Sequence, residues 1–332
     1  MNNDFLWLTE QDVVGVMTLP AAIGALQRSV RLEHDGQARN MEKTMAQYGH
    51  SNLHALGGQL GDVVGTKTWV HAEAGTCPLL LLWDAHDGRL QAVIEAFALG
   101  NLRTGATSGL ATQWLAAPNA STMAVMGCGK QALSQVAAVA AVRPITRVLA
   151  YARNIAQAQA FARTVREQLG IETEPCDAVE AATADADVVT TVTRATEPFL
   201  FSRHLKDGAH VNAIGAIGQD REEFGQDVFD RARVVCVDHL GAVQRLSREF
   251  MHRYTANGWD AVQSLGTLAA KGAPAWSPTG LTLFKAMGMG LSDVALGAEV
   301  LARARAAELG RTLPQPRKAV PDLRAALTHA AA

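Results

Sequence analysis

The octapeptide VMGCGKQA, Val125 to Ala132, places two glycines one residue apart directly after an apolar run. Such a pair is either a turn that cradles a pyrophosphate or a chance pairing in a chain rich in small residues. The flanks decide between the two. Ser121 to Met126 (STMAVM) reads as a short apolar strand. From Gln131 to Val142 the residues Leu133, Val136, Ala137, Ala140 and Ala141 fall on one helical face, and Pro144 stops the helix. Gly127-Cys128-Gly129-Lys130-Gln131-Ala132 is therefore a GxGxxA turn between a strand and a helix. In that setting glycines let the backbone approach a dinucleotide while a helix N-terminus faces the anion. A P-loop is excluded, because Gln131 rather than Ser or Thr follows Lys130.

The pattern repeats downstream. Arg147 to Ala152 reads as a strand and Ala156 to Leu169 as an amphipathic helix. Strand Glu172 to Pro175, helix Ala178 to Thr183 and strand Asp187 to Thr193 follow, then strand His210 to Gly215, helix Asp227 to Ala232 and strand Arg233 to Asp238. This alternation predicts a doubly wound parallel α/β sheet with helices on both faces. An acid at the end of the second strand would hold the ribose 2′-hydroxyl of NAD, but the chain offers Tyr151-Ala152-Arg153-Asn154. Arg153 can pair with a 2′-phosphate, which favours NADP over NAD. Outside this core, Val64 to His71 and Pro78 to Trp83 suggest a mixed sheet, and Leu291 to Ala332 reads as a helical tail. Residues 1–115 and 291–332 are expected to build a second, α+β domain around a dinucleotide domain over 116–290.

Thirty Lys and Arg stand against 32 Asp and Glu, a net charge of −2, so no basic footprint for nucleic acid is present. No apolar run reaches the roughly 18 residues of a membrane span. The start, MNNDFLWLTEQDVVGV, lacks the cationic and apolar regions of a signal peptide, so a cytoplasmic address is expected. Cys77, Cys128, Cys176 and Cys236 form no CxxC and read as buried reduced thiols. His50 and His54 can share a helix face but have no carboxylate ligand nearby in sequence, so no metal site is expected.

Several stretches together resemble the ornithine cyclodeaminase/μ-crystallin family of nicotinamide-dependent enzymes. They are Lys67 in VGTKTWV, NLRTGATSGLAT (101–112), MGCGKQA, TTVTRATEPFLF (190–201), GAHVNAIGA (208–216), VCVDH (235–239) and LFKAMGMGLSDVA (283–295). The resemblance implies a Rossmann-type domain inserted into a dimerisation and substrate domain built from both chain ends, with a homodimer as the assembly. It also implies hydride transfer between nicotinamide C4 and the α-carbon of an amino or imino acid. The match identifies Arg39, Lys67 and Arg103 as the grip on the substrate carboxylate. The same resemblance implies Asp238 as the catalytic carboxylate and a catalytic role for Lys67 as well.

Cofactor contacts are expected from Arg103, Thr104, Gly127, Cys128, Gly129, Lys130, Gln131, Arg153, Thr191, Val192, Thr193, Asn212, Gly215 and Asp238. The chain departs from the family pattern at Gly100, where threonine is usual, and at Leu56-Gly57-Gly58, where an MPA-like stretch is usual. Both departures lie on the expected substrate side. The leading reading is NAD(P)H-dependent reduction of a small α-imino acid to the L-amino acid, or the reverse dehydrogenation. Iminosuccinate, pyruvate-derived imines and cyclic imino acids are the candidates. Redox-neutral, ammonia-releasing ornithine cyclodeamination and non-enzymatic NADPH or small-ligand binding stay open as alternatives.

Overall fold

The computed structural model describes residues 4–323, which form two sheets bridged by long helices. The chain begins with β1 (Asp4–Leu8), α1 (Glu10–Val16) and α2 (Leu19–His34). The strands β2 (Ala38–Tyr48), β3 (Ser51–Leu60) and β4 (Val63–Ala72) follow, then β5 (Gly75–Thr76), β6 (Leu79–Asp84), β7 (Leu90–Glu95) and α3 (Phe97–Leu115). The next stretch runs β8 (Thr122–Met126), α4 (Ala132–Ala140), β9 (Arg147–Tyr151), α5 (Ile155–Leu169), β10 (Glu172–Cys176), α6 (Val179–Thr183) and β11 (Val188–Thr191). It continues through β12 (His210–Ala213), α7 (Asp227–Arg231), β13 (Ala232–Val237), α8 (Leu240–Leu246) and α9 (Arg248–Tyr254). It ends with β14 (Val262–Ser264), α10 (Leu265–Lys271) and β15 (Leu281–Lys285). Finally α11 (Gly290–Ala306) and β16 (Arg311–Pro314) return the chain to the first sheet.

That first sheet has the order β16-β1-β7-β6-β4-β3-β2, with β5 against β4. The second has the order β10-β9-β8-β11-β12-β15-β13-β14, and every pair in it is parallel. Strand order reverses on either side of β8, which makes the ends of β8 and β11 the switch point where such sheets bind ligands. Met123 to Met126 are wholly buried between the two helical layers, so β8 is continuously apolar instead of alternating.

α11 packs on one face of β3 and β4, and α3 packs on α2 and α4. These two helices therefore stand between the sheets and carry side chains to the cleft.

Three expectations are corrected. The helical tail ends at Ala306: Glu308 and Gly310 take left-handed φ values of 55° and 93°, and Arg311–Pro314 then pairs with β1. Pro314 and Pro316 cannot continue a helix. The rest of the expected tail, 324–332, lies outside the described residues. His50 and His54 share no helix face, because His50 sits in the β2–β3 hairpin turn and His54 within β3. Of the four free cysteines Cys77 is exposed and Cys128 half-buried, while Cys176 and Cys236 are buried as expected.

Candidate active site

The glycine turn lies where β8 meets α4. Gly127 has φ +108°, and a Cβ there would meet Val192 O at 2.8 Å, so the turn lies tight against the segment leaving β11. At Gly129 a Cβ would meet nothing within 4 Å. One glycine thus serves the bend, and the other leaves open room for a ligand. α4 begins after Gln131 without a side-chain cap; Ala132 N donates to Gly129 O at 3.0 Å, which leaves the N–H groups of Leu133 and Ser134 for an anion. Gln131 Nε2 instead donates to Asn101 Oδ1 at 2.8 Å, tying the turn to α3. Lys130 is exposed beside it, and burial pushes the Cys128 thiol up to about 12. Arg153 is exposed just past β9, and Asn154 caps α5 by accepting from Ala156 N at 3.0 Å. The residues present fit a dinucleotide pyrophosphate.

The opposite wall is cationic. Lys67 on β4 is 5% exposed and donates to Asp293 Oδ1 on α11. Arg103 Nε lies 3.5 Å from the same oxygen, and Asp293 is fully buried. Burial lowers the Lys67 ammonium, and the charge of Asp293 opposes that shift. Gly100 belongs to this wall, since a Cβ there would lie 3.8 Å from Lys67 Nζ. The Gly57-Gly58 pair lies under the start of α11: a Cβ on Gly58 would come within 3.2 Å of Leu291 Cα.

Arg39 does not join this group. It pairs in register with Gln59, whereas its neighbour Asn40 accepts from Leu291 N of α11 at 3.1 Å. Alternation along β2 therefore turns Arg39 to the opposite face. The register of β2 against β3 then shifts between Met41 and Thr44, and past this bulge the exposed Lys43 reaches the side of the sheet that carries Trp69. Its Nζ stands 5.8 Å from the centre of the Trp69 ring, and Lys67 Nζ stands 5.1 Å from it. Burial and then the Arg103 charge lower the Lys43 ammonium. Lys43, not Arg39, thus lies on the Lys67 side of the sheet.

Asp238 follows β13 and is 4% exposed. Its carboxylate accepts from His239 N at 2.7 Å, Met287 N at 2.9 Å and Gly288 N at 2.7 Å. Burial raises its carboxyl against the pull of those three donors. Gly288, at φ +79°, also faces Arg103, and a Cβ there would lie 2.9 Å from Arg103 Nη1. One residue therefore separates the carboxylate of the second sheet from the guanidinium of α3.

Not every expected side chain reaches the cleft. Asn212 is fully buried, donating to Thr112 Oγ1 at 2.9 Å and meeting His210 Nε2 at 3.1 Å, so its amide is committed between β12 and α3. Thr104 Oγ1 donates to Gly100 O at 2.8 Å within α3. Thr191, Thr193 and Gly215 converge on a buried acid, Glu223, and Val192 N bonds Met126 O at 2.9 Å.

Three residues escaped sequence reasoning: Asp293, Glu223 and Glu33. Asp293 left a signal as an acid inside the apolar helix GLSDVALGA, whereas Glu223 in REEFG and Glu33 in RLEHD look like ordinary surface acids. Burial and then the charge of Asp238 push the Glu33 carboxyl up to about 7.

Residues 6–308 match the ornithine cyclodeaminase/mu-crystallin family as a whole. The chain belongs to that family. Within it, the chain is 32% identical over 215 residues to the ketimine reductase mu-crystallin of Rattus norvegicus, covering 65% of this chain and 66% of that protein. It is 32% identical over 238 residues to a Delta(1)-pyrroline-2-carboxylate reductase of Bacillus cereus, covering 68% and 70%. An archaeal alanine dehydrogenase, solved as a dimer with bound NAD, superposes with a TM-score of 0.85 at 27% identity, covering 93% of this chain and 99% of that one. The doubly wound sheet and the flanking sheet therefore form the family's α/β fold. Among the described residues no single helix is long and apolar enough to cross a membrane.

Proposed function

We propose that this protein reduces a small α-imino acid to the L-amino acid with NAD(P)H, or runs the reverse dehydrogenation. The observation that carries this reading is Gly288, whose N–H holds Asp238 while its Cα faces Arg103. An acid–base carboxylate and an anion-binding guanidinium thereby share one wall of the cleft. Relatives named as a ketimine reductase, a pyrroline-2-carboxylate reductase and an alanine dehydrogenase support the same reading.

Lys67, Arg103 and Lys43 bind the substrate α-carboxylate, with Asp293 fixing the first two by charge-assisted contacts. Asp238 stands beside the imine nitrogen. Its raised carboxyl can give or take a proton there, and the resulting carboxylate stabilises the iminium form. Its three backbone donors fix its aim without any side-chain rearrangement. Glu33, poised near neutrality, offers a second proton site near Asp238. The turn 127–131 and the uncapped N–H groups of Leu133 and Ser134 hold the pyrophosphate, and Arg153 takes the 2′-phosphate, so NADP is preferred to NAD. When bound, the reduced nicotinamide supplies the hydride received by the α-carbon.

The assembly we propose is a homodimer. Tyr48, Leu53, Val64 and Val70 share the face of the first sheet opposite Lys67, and they are 52%, 43%, 36% and 38% exposed. An apolar sheet face of this kind is suited to a second copy. The catalytic test is NADH and NADPH oxidation with 2-oxo acids plus ammonia or methylamine, and with preformed cyclic imines. Turnover on at least one imine is expected. Ammonia and proline released from ornithine without added reductant would instead establish cyclodeamination, and tight NADPH binding with no turnover would establish a binding protein.

A further inference from the structure

The segments that leave β11 and β12 stand on a single carboxylate. Glu223 is fully buried. Its Oε1 accepts from Thr193 N at 2.6 Å and Thr193 Oγ1 at 2.7 Å. Its Oε2 accepts from Thr191 Oγ1 at 2.8 Å, Gly215 N at 2.9 Å and Ala216 N at 3.1 Å. These donors lie at or just past the carboxyl ends of their strands, where the ladder no longer pairs every N–H. A carboxylate, which only accepts, can satisfy all of them at once.

The two segments also touch directly. A Cβ on Gly215 would lie 2.2 Å from Thr193 O and 2.4 Å from Glu223 Oε1. Their spacing is thus set by backbone against backbone, with Glu223 beneath.

The acid is itself held in place. Glu223 N donates to Glu249 Oε1 at 3.0 Å, and Glu223 O accepts from Phe199 N and Leu200 N. Glu249, also fully buried, accepts from Ser247 Oγ at 2.9 Å and lies 3.2 Å from Lys285 Nζ. Lys285 closes β15, and its carbonyl accepts from Asp238 N at 3.1 Å. A continuous polar chain therefore runs from the backbone of the proposed acid–base residue to both segments.

We propose that Glu223 is a positioning residue that sets the nicotinamide end of the dinucleotide cleft, locking the β11 and β12 loops to each other and, through Glu249 and Lys285, to the strand end carrying Asp238. This rests on the reading of the cleft as an NAD(P) site. Glu223 touches no ligand itself; it acts through Thr191–Thr193 and Gly215–Ala216. Glu223 bonds neither the glycine turn nor Arg153, and the turn meets the β11 loop only through Val192 and the Thr193 methyl, so the adenosine and pyrophosphate half of the cleft depends on Glu223 far less than the nicotinamide half.

The test is a binding comparison on the full-length protein. Wild type, Glu223→Gln and the milder Thr191→Val are titrated with NADPH or NADH, whichever binds more tightly. The same proteins are titrated with the matching fragment lacking the nicotinamide ring, 2′-phospho-ADP-ribose or ADP-ribose. In Glu223→Gln one oxygen becomes an NH2 facing N–H donors. The whole cofactor should then bind about 10- to 100-fold more weakly, the equivalent of one or two lost charged hydrogen bonds. Thr191→Val keeps the shape, removes one donor and should weaken the cofactor about 3- to 10-fold. The fragment should change by less than about threefold in either variant. Equal weakening of cofactor and fragment, or unchanged cofactor binding in both variants, would overturn the assignment while leaving the proposed function standing. If the wild-type protein bound neither NADH nor NADPH, both would fall together.

Discussion

Replacing Lys67 by Met probes the electrostatics of the cationic wall most sharply. Lys67 and Asp293 are both buried, and burial lowers the Lys67 ammonium although Asp293 attracts it. Loss of hydration therefore outweighs the attraction, and the intact pair adds little net stability. Removing only the ammonium is a different matter. Asp293 would keep only Arg103 Nε at 3.5 Å, and its Oδ2 already lacks a hydrogen-bond partner among the described residues. An orphaned buried charge costs about 3–5 kcal/mol, and the remaining arginine places Lys67→Met near the lower end, at roughly 3 kcal/mol. Asp293→Asn removes the charge but keeps an acceptor for Lys67, at about 2 kcal/mol.

The double variant leaves no unpaired charge between the two positions. It should cost less than the sum of the singles by about 2 kcal/mol or more. Urea midpoints for wild type, both singles and the double complete the cycle. Strict additivity, or a cost below about 1 kcal/mol for Lys67→Met, would refute the reasoning.

Two further outcomes follow from the same geometry. Glu33 is raised from 4.5 to about 7 in the fold, so between those values the folded chain keeps a proton that the unfolded chain has released. Its contribution to stability is fully present below about pH 4.5 and is lost as pH rises through about 7, a decline of ~2–3 kcal/mol. Glu33→Gln should remove that decline, and melting temperatures measured across the window decide it; an unchanged slope counts against the coupling. Arg153→Ala should lower the affinity for NADPH about tenfold or more while leaving NADH within about threefold. Equal changes for the two cofactors would end the 2′-phosphate argument.

What was legible in the sequence was local. STMAVM followed by GCGKQA announces a strand, a bend and a helix within twenty residues, and the structure builds all three there. Arg103 could be placed because its helix, RTGATSG, is distinctive by itself. The pairings were not legible, because they join distant segments: Lys67 and Asp293 are 226 residues apart. The placing of Arg39 rests on the family match, and which face of β2 it takes depends on a register that the match does not carry. The bulge between Met41 and Thr44 accounts for the side taken by Lys43, and nothing in RNMEKT announces it. Glu223 was hidden for a related reason: REEFG looks like a solvated turn, and only the meeting of two distant strand ends encloses its second acid.

The central claim is that a hydride reaches the α-carbon of an imino acid in this cleft. The direct measurement uses NADPH or NADH carrying deuterium at the transferable C4 position, with the imine that turns over fastest, and reads the amino acid product by NMR. The account predicts one deuterium at the product α-carbon, and its loss in step with turnover in Asp238→Asn. Amino acid product formed without deuterium at that carbon would contradict it.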